Sequence, residues 1–269
     1  MLNKVKQYWN NRPCNIKHSA KEVGSKDYFE EVTERKYYVE SHIPNFAQFW
    51  EWRGKKVLEI GCGIGTDTQQ FAENGARIVP VDLSEKSLEI ARKRAEFYNL
   101  IVNFHHANAE QLSDYIPIDT FDLIYSFGVI HHSPHPEMII EQIKKYMNKD
   151  STLKIMIYNK ISWKVLWILL KYGKGKFWKL NELIAKYSEA QTGCPVTYAY
   201  TKRSARKLLK GFEILEMRTE HIFPYSIPEY KNYQYKKVWY FRYLPHCIFR
   251  FMERHLGWHL LITARINNG

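Results

Sequence analysis

Residues 57–65 read Val57-Leu58-Glu59-Ile60-Gly61-Cys62-Gly63-Ile64-Gly65, a short apolar run that passes into three glycines at alternating positions. Val57, Leu58 and Ile60 predict a buried parallel strand, because an apolar run this short that stops at glycine cannot make a helix. The glycines let the backbone turn sharply and approach another group closely, where a Cβ would intrude. From Thr66 to Glu73 the spacing turns helical. Strand, glycine loop and helix in that order form the unit that cradles nucleotides in doubly wound sheets. The dinucleotide fingerprint needs glycine at its first, third and sixth places, but the sixth place here is Thr66. Glycine stands at the first, third and fifth.

A second apolar run, Ile78-Val79-Pro80-Val81, ends at Asp82, seventeen positions beyond Gly65. An acid at a strand end can accept hydrogen bonds from ribose hydroxyls. Ser84 then predicts a helix N-cap, with Ser87 in place of the glutamate of a full capping box. Further on come Ala107-Asn108-Ala109-Glu110, a strand over Phe121–Ser126, and the run Phe127-Gly128-Val129-Ile130-His131-His132. The glycine spacing with Glu59 before it resembles motif I of the class I S-adenosylmethionine-dependent methyltransferases, and the later stretches resemble that family's next motifs in order. The last run is similar to the post-strand loop of the subgroup related to quinone and other small-molecule methyltransferases. Together these motifs span roughly residues 55–160.

The resemblance implies an α/β fold, a doubly wound, seven-stranded, mostly parallel Rossmann-like sheet. It implies S-adenosylmethionine as cofactor, with S-adenosylhomocysteine as product. It places Glu59 and the backbone of Gly61, Cys62, Gly63 and Gly65 on the methionine portion, and Asp82 with Leu83 on the ribose. Asn108 and Ala109 would take the adenine, and the carbonyl of Ser126 the amino group. The family more often has Asp where Asn108 stands, but an amide also pairs with the adenine edge.

A chain of 269 residues is long enough for one domain with an ample core. No apolar run approaches a membrane span, and the opening MLNKVKQYWNN lacks the apolar core of a secretory signal. A cytoplasmic location is the expectation. Cys14, Cys62, Cys194 and Cys247 show no paired spacing, so neither a disulfide framework nor a zinc site is indicated. Charge is unevenly placed: residues 151–269 hold 21 Lys and Arg against 7 Asp and Glu, and residues 1–150 hold 19 against 21. Such asymmetry fits either an anionic partner for the second half or a solvated basic surface.

Residues 1–54 precede the first strand as an N-terminal helical segment, and residues 55–269 make the methyltransferase domain. Val5 to Trp9 can start a helix before Pro13, Asp27 to Tyr38 is helical in pattern, and Pro44 interrupts before a second amphipathic stretch around Phe46 to Trp52. In the family resembled, N-terminal helices lie across the cofactor pocket, which makes Tyr28 and Arg35, with Tyr37 and Tyr38, candidates to contact substrate or methionine. Packing in the core is the competing role for each. After the strand Leu153–Tyr158 the family pattern breaks, and the expected helix starts only at Thr201, a predicted N-cap. Residues 160–200 are thus an insertion that interleaves Trp and Tyr with lysines. A second such segment, residues 221–256, contains Pro224, Pro228 and Pro245 and cannot be one helix. Both are expected to cap the sheet's carboxyl edge, where open α/β sheets bind ligands, and to supply the substrate pocket.

Methyl transfer from a sulfonium is an in-line displacement. The protein must align donor and nucleophile, exclude water, and supply a base when the nucleophile carries a proton. His131 and His132 are the candidate bases, since imidazole titrates in the useful range; alternatively one packs and the other faces solvent. Tyr200 joins them as a catalytic candidate, and Tyr158, Asn159 and Tyr198 as substrate contacts. His131-His132-x-x-His135 has no carboxylate or thiol at a telling spacing, so no metal is expected. A nucleic-acid methyltransferase would carry a run such as Asn-Pro-Pro-Tyr after the fourth strand, and Ser126-Phe127-Gly128-Val129-Ile130-His131-His132 is not one. A non-catalytic module would have lost the glycines or Asp82. The reading is therefore an enzyme acting on a small molecule, with a membrane-surface variant left open by the Trp and Lys of the insertion; the nucleophilic atom and the oligomeric state stay open too.

Overall fold

The computed structural model describes residues 1–188 and 194–267; residues 189–193 of the first insertion lie outside the described residues, as do 268 and 269. Seven strands form one sheet: β1 (Lys56–Ile60), β2 (Arg77–Asp82), β3 (His105–His106), β4 (Leu123–Phe127), β5 (Thr152–Tyr158), β6 (Phe212–Glu220) and β7 (His259–Ile266). Their spatial order is β3-β2-β1-β4-β5-β7-β6. The first five run parallel, while β7 lies antiparallel to both β5 and β6. The doubly wound, mostly parallel sheet is thus the one the motifs imply.

Alternation along the strands feeds two cores. Leu58, Ile60, Ile124, Leu153, Ile155 and Ile157 face one side, against Ile139, Ile140 and Ile143 of the helix Pro136–Lys144. Val57, Leu123, Tyr125, Met156 and Tyr158 face the other, against Phe46, Phe49 and Phe71. Burial on both faces explains why these strands read as continuous apolar runs. Each fully buried aliphatic side chain here contributes about 1.5–3 kcal/mol.

The connections correct several expectations. The helix Leu2–Asn11 runs past both ends of the Val5–Trp9 stretch. Pro44 does not interrupt but sits in the first turn of the helix Ile43–Ala47, where a missing N–H costs nothing. Gln48, at φ 55°, ends that helix, so Phe49–Trp52 is a single 3-10 turn. The helix Lys202–Leu208 opens with a capping box between Thr201 and Ser204. Residues 160–188 carry the helices Trp163–Tyr172 and Leu180–Tyr187. Residues 221–256 carry three, Ile227–Lys231, Trp239–Arg242 and His246–Leu256, with Pro228 and Pro245 at helix starts. Among the described residues no helix is long and apolar enough to cross a membrane.

Candidate active site

The glycines after β1 do different jobs. A Cβ on Gly61, at φ +82°, would stand 2.1 Å from Cγ2 of Val129, so the loop after β4 can close on β1 only if residue 61 lacks a side chain. Gly65, at φ +78°, is the N-cap of the helix Thr66–Glu73, and its Cβ would come within 3.0 Å of Ala91. Gly63 has nothing within 4 Å of its missing Cβ, because it borders open space. Its N–H donates to Oδ2 of Asp82 at 2.8 Å, and the N–H of Ser84 donates to Oδ1 at 2.8 Å. The acid at the end of β2 thereby ties the glycine loop to the next helix. Burial raises its pKa, against these backbone bonds, which lower it.

One cavity, about 1100 Å³ including its open mouth, lies along this edge. Its wall brings together Glu59, Gly61, Cys62, Gly63, Asp82, Leu83, Asn108, Ala109 and His132. The Oδ1 of Asn108 accepts from the Glu110 N–H at 3.1 Å and so caps the turn that follows. His132 is buried, and its Nδ1 lies 3.0 Å from the carbonyl oxygen of Val196 and 3.2 Å from the hydroxyl of Thr197. A carbonyl only accepts, so Nδ1 carries the proton and Nε2 the lone pair. Trp9 packs edge-on against this ring at 5.2 Å.

The other sequence candidates do not line the cavity. Gly65 turns instead toward Ala91. Ser126 is fully buried and donates its hydroxyl to the Ile60 carbonyl at 3.0 Å; β4 continues one residue beyond it, and Phe127, Gly128 and Val129 form the wall instead. His131 is fully buried with no hydrogen-bond partner on either nitrogen, its ring tilted against that of Tyr158 at 3.7 Å, and burial pushes its pKa well down. Tyr158 is itself sandwiched against Trp258 at 4.1 Å. Asn159 donates to the carbonyls of Ile161 and Gly257. Tyr200 packs against the core, and Tyr198 is 42% exposed. Tyr28 is buried, its hydroxyl given to the Ile16 carbonyl at 3.1 Å. Arg35 lies over the rings of Tyr230 and Tyr233 at 4.0 and 4.4 Å. No described residue of 160–200 or 221–256 enters the wall. The first of these segments supports it from behind, through Val196 on His132 and the Tyr198 N–H on the His131 carbonyl.

Sequence reasoning misses Leu2, Val5, Trp9, Lys36 and Asp67, all in the wall. Asp67 accepts from Lys36 at 2.6 Å and from Tyr125 at 3.0 Å, both in a buried setting, and from the partly buried Tyr37 at 2.8 Å. Burial alone would lower the pKa of Lys36, but the charge and hydrogen bond of Asp67 reverse this and raise it. Glu59, which accepts from the Thr68 hydroxyl, is pushed up to about 8 by burial and by the charge of Asp67. The one available signal was position: Asp67 falls in the first turn of the helix after the glycine loop, where an acid is favoured anyway, so it did not stand out.

Comparison with known proteins places the chain in a family. The family described as "Methyltransferase domain" matches residues 52–218. The ubiquinone biosynthesis O-methyltransferase of Glaesserella parasuis serovar 5 is 30% identical over 162 residues, 55% of this chain and 69% of that enzyme. That of Idiomarina loihiensis is 32% identical over 123 residues, 46% of this chain; the match spans 48% of that relative, about half its length. Among solved structures, the magnesium protoporphyrin IX methyltransferase of Synechocystis PCC 6803 with bound S-adenosylhomocysteine aligns over 99% of both chains, with a TM-score of 0.61 at 15% identity. That likeness speaks for the fold. The chain belongs to the class I S-adenosylmethionine-dependent methyltransferases and is an enzyme of that family.

Proposed function

We propose that the cavity binds S-adenosylmethionine and that His132 serves as general base for a hydroxyl nucleophile on a small organic molecule. The cofactor, when bound, supplies an electrophilic methyl group on its sulfonium. The residues present fit it. Gly63 opens onto free space, and each oxygen of Asp82 spends one lone pair on a backbone N–H and keeps another for a ribose hydroxyl. Glu59 and the Gly61–Gly63 backbone would hold the methionine portion, and Asn108 with Ala109 the adenine.

The Nδ1 of His132 held by the Val196 carbonyl carries the choice of a hydroxyl nucleophile. That bond fixes the tautomer whose Nε2 accepts a proton, and Trp9 shields the ring from water. His131 has no such orienting bond. The ubiquinone biosynthesis O-methyltransferases among the relatives support oxygen as the acceptor. Lys36, the sole cation of the wall among the described residues, is paired with Asp67, so nothing there favours an anionic substrate. With labelled cofactor and a panel of phenols and catechols, His132→Ala should lower kcat by about 10²–10⁴-fold and leave the cofactor Kd unchanged. An unchanged kcat would remove His132 from the reaction.

A second reading concerns where the substrate is met. Phe177, Trp178, Trp239, Tyr243 and Phe251 are all more than 60% exposed in the half of the chain that carries the excess of basic residues. Exposed aromatic side chains together with an excess of basic residues suit a bilayer with anionic lipid. Co-sedimentation with vesicles containing phosphatidylglycerol, weakened by Trp178→Ala with Trp239→Ala, would support docking; no co-sedimentation would end this reading.

A further inference from the structure

The most distinctive unassigned cluster lies beside the cavity, behind Phe127. Glu40 caps the C-terminus of the helix Lys26–Val39, and His42 precedes the helix Ile43–Ala47. His221 follows β6 directly, and His259 opens β7 opposite Glu220. The Trp258 N–H donates to the His221 carbonyl at 2.8 Å, which closes the end of the β6–β7 ladder. His221 stands at φ +71°, an uncommon conformation for a residue with a side chain. Its ring stacks on His259 at 4.6 Å.

We propose that Glu40, His221 and His259 form a site for a divalent cation of the zinc type, which ties the N-terminal segment to the antiparallel edge of the sheet. One donor atom from each of the three lies within 4.8 Å of the other two. Donors around a tetrahedral zinc are roughly 3.4 Å apart, given bonds of about 2.0–2.2 Å, so small side-chain rotations close the set. Two imidazoles and a carboxylate are a ligand set that zinc takes while keeping a fourth position for water.

His42 completes the arrangement. Its Nε2 lies 3.0 Å from Nδ1 of His259, the outer-sphere bond that metal-bound histidines make with their other nitrogen. The other ring nitrogen of His259, Nε2, lies 3.6 Å from Oε1 of Glu40. That distance is too long for a hydrogen bond and close to the spacing of two donors on one tetrahedral zinc. Glu220, next to His221, is taken by Arg218 and Arg250 at 3.8 and 3.5 Å and stands outside the set. Sequence spacing gives no hint of the site, because its members come from three distant segments.

The test uses the full chain stripped with a chelator. Calorimetry with Zn²⁺ should give one ion per chain, and Co²⁺ should give the visible absorption of a tetrahedral N/O site. His42→Phe should weaken binding by about 10–100-fold, as outer-sphere losses do, and His259→Ala should abolish it. If His259→Ala fails to fold, His221→Asn serves instead: it is half-buried, and asparagine tolerates a positive φ. His135→Ala, on the surface beside Glu137, should bind as the native chain does. No zinc binding in the native chain, or binding unchanged in His221→Asn, would overturn the proposal.

Discussion

The half of the sheet built on β1, β2 and β4 and the half that carries residues 160–200 and 221–256 differ in how function attaches to them. In the first half the backbone shapes much of the cavity wall: glycines at positive φ, amide hydrogens and one acid fixed between two loops. In the second half aromatic side chains bind one another. Tyr172 stacks on Tyr187 at 3.9 Å, Tyr225 and Tyr230 lie nearly parallel, and Arg35 inserts among the tyrosines that follow. A site made of backbone tolerates little change, whereas aromatic clusters of this kind exchange one apolar contact for another. Among the described residues, the aromatics of these segments pack on one another or face outward and do not enter the cavity wall.

The comparison is broken most directly at Gly61. Gly61→Ala puts a methyl group 2.1 Å from Val129 at a positive φ. Overpacking and backbone strain together should lower stability by about 2–6 kcal/mol. Urea denaturation would show this as a lower midpoint, and an unchanged midpoint would mean that the loop after β4 is free to retreat.

Glu59 sharpens it. Its pKa is raised from 4.5 to about 8, first by burial and then by the charge of Asp67. The folded state thus holds its proton more tightly than the unfolded chain, so this contribution to stability is full below the unfolded pKa and is lost as pH rises through about 8. Glu59→Gln should leave the ligand-free protein unchanged near pH 4 and more stable at pH 9, by up to a few kcal/mol. Thermal melts across that range would show the gap opening with pH. A constant gap would mean that Glu59 is not held in the protonated form.

Much of the fold was legible because strand burial and glycine spacing are local properties. Val57 to Gly65, Asp82 and the Ser84 cap each follow from what the backbone can do. What escaped was set by tertiary placement. Ser126 and His131 sit beside residues that do reach the wall, and a single step along β4 or around a turn separates Ser126 from Phe127 and His131 from His132. Asp67 and Lys36 meet across separate helices, and no periodicity records that. Trp9 looked like part of a short start before Pro13, yet its helix brings it onto His132.

If the cofactor sits at the edge built on β1, β2 and β4, calorimetry with S-adenosylhomocysteine shows it most directly. The native chain should bind one molecule. Asp82→Ala removes the carboxylate that both loops share and should weaken binding by about 10–100-fold, the loss of a charged hydrogen-bond partner. Tyr200→Phe, in the other half, should leave the Kd unchanged. Equal affinity in Asp82→Ala, or a loss in Tyr200→Phe as large as in Asp82→Ala, would contradict the account.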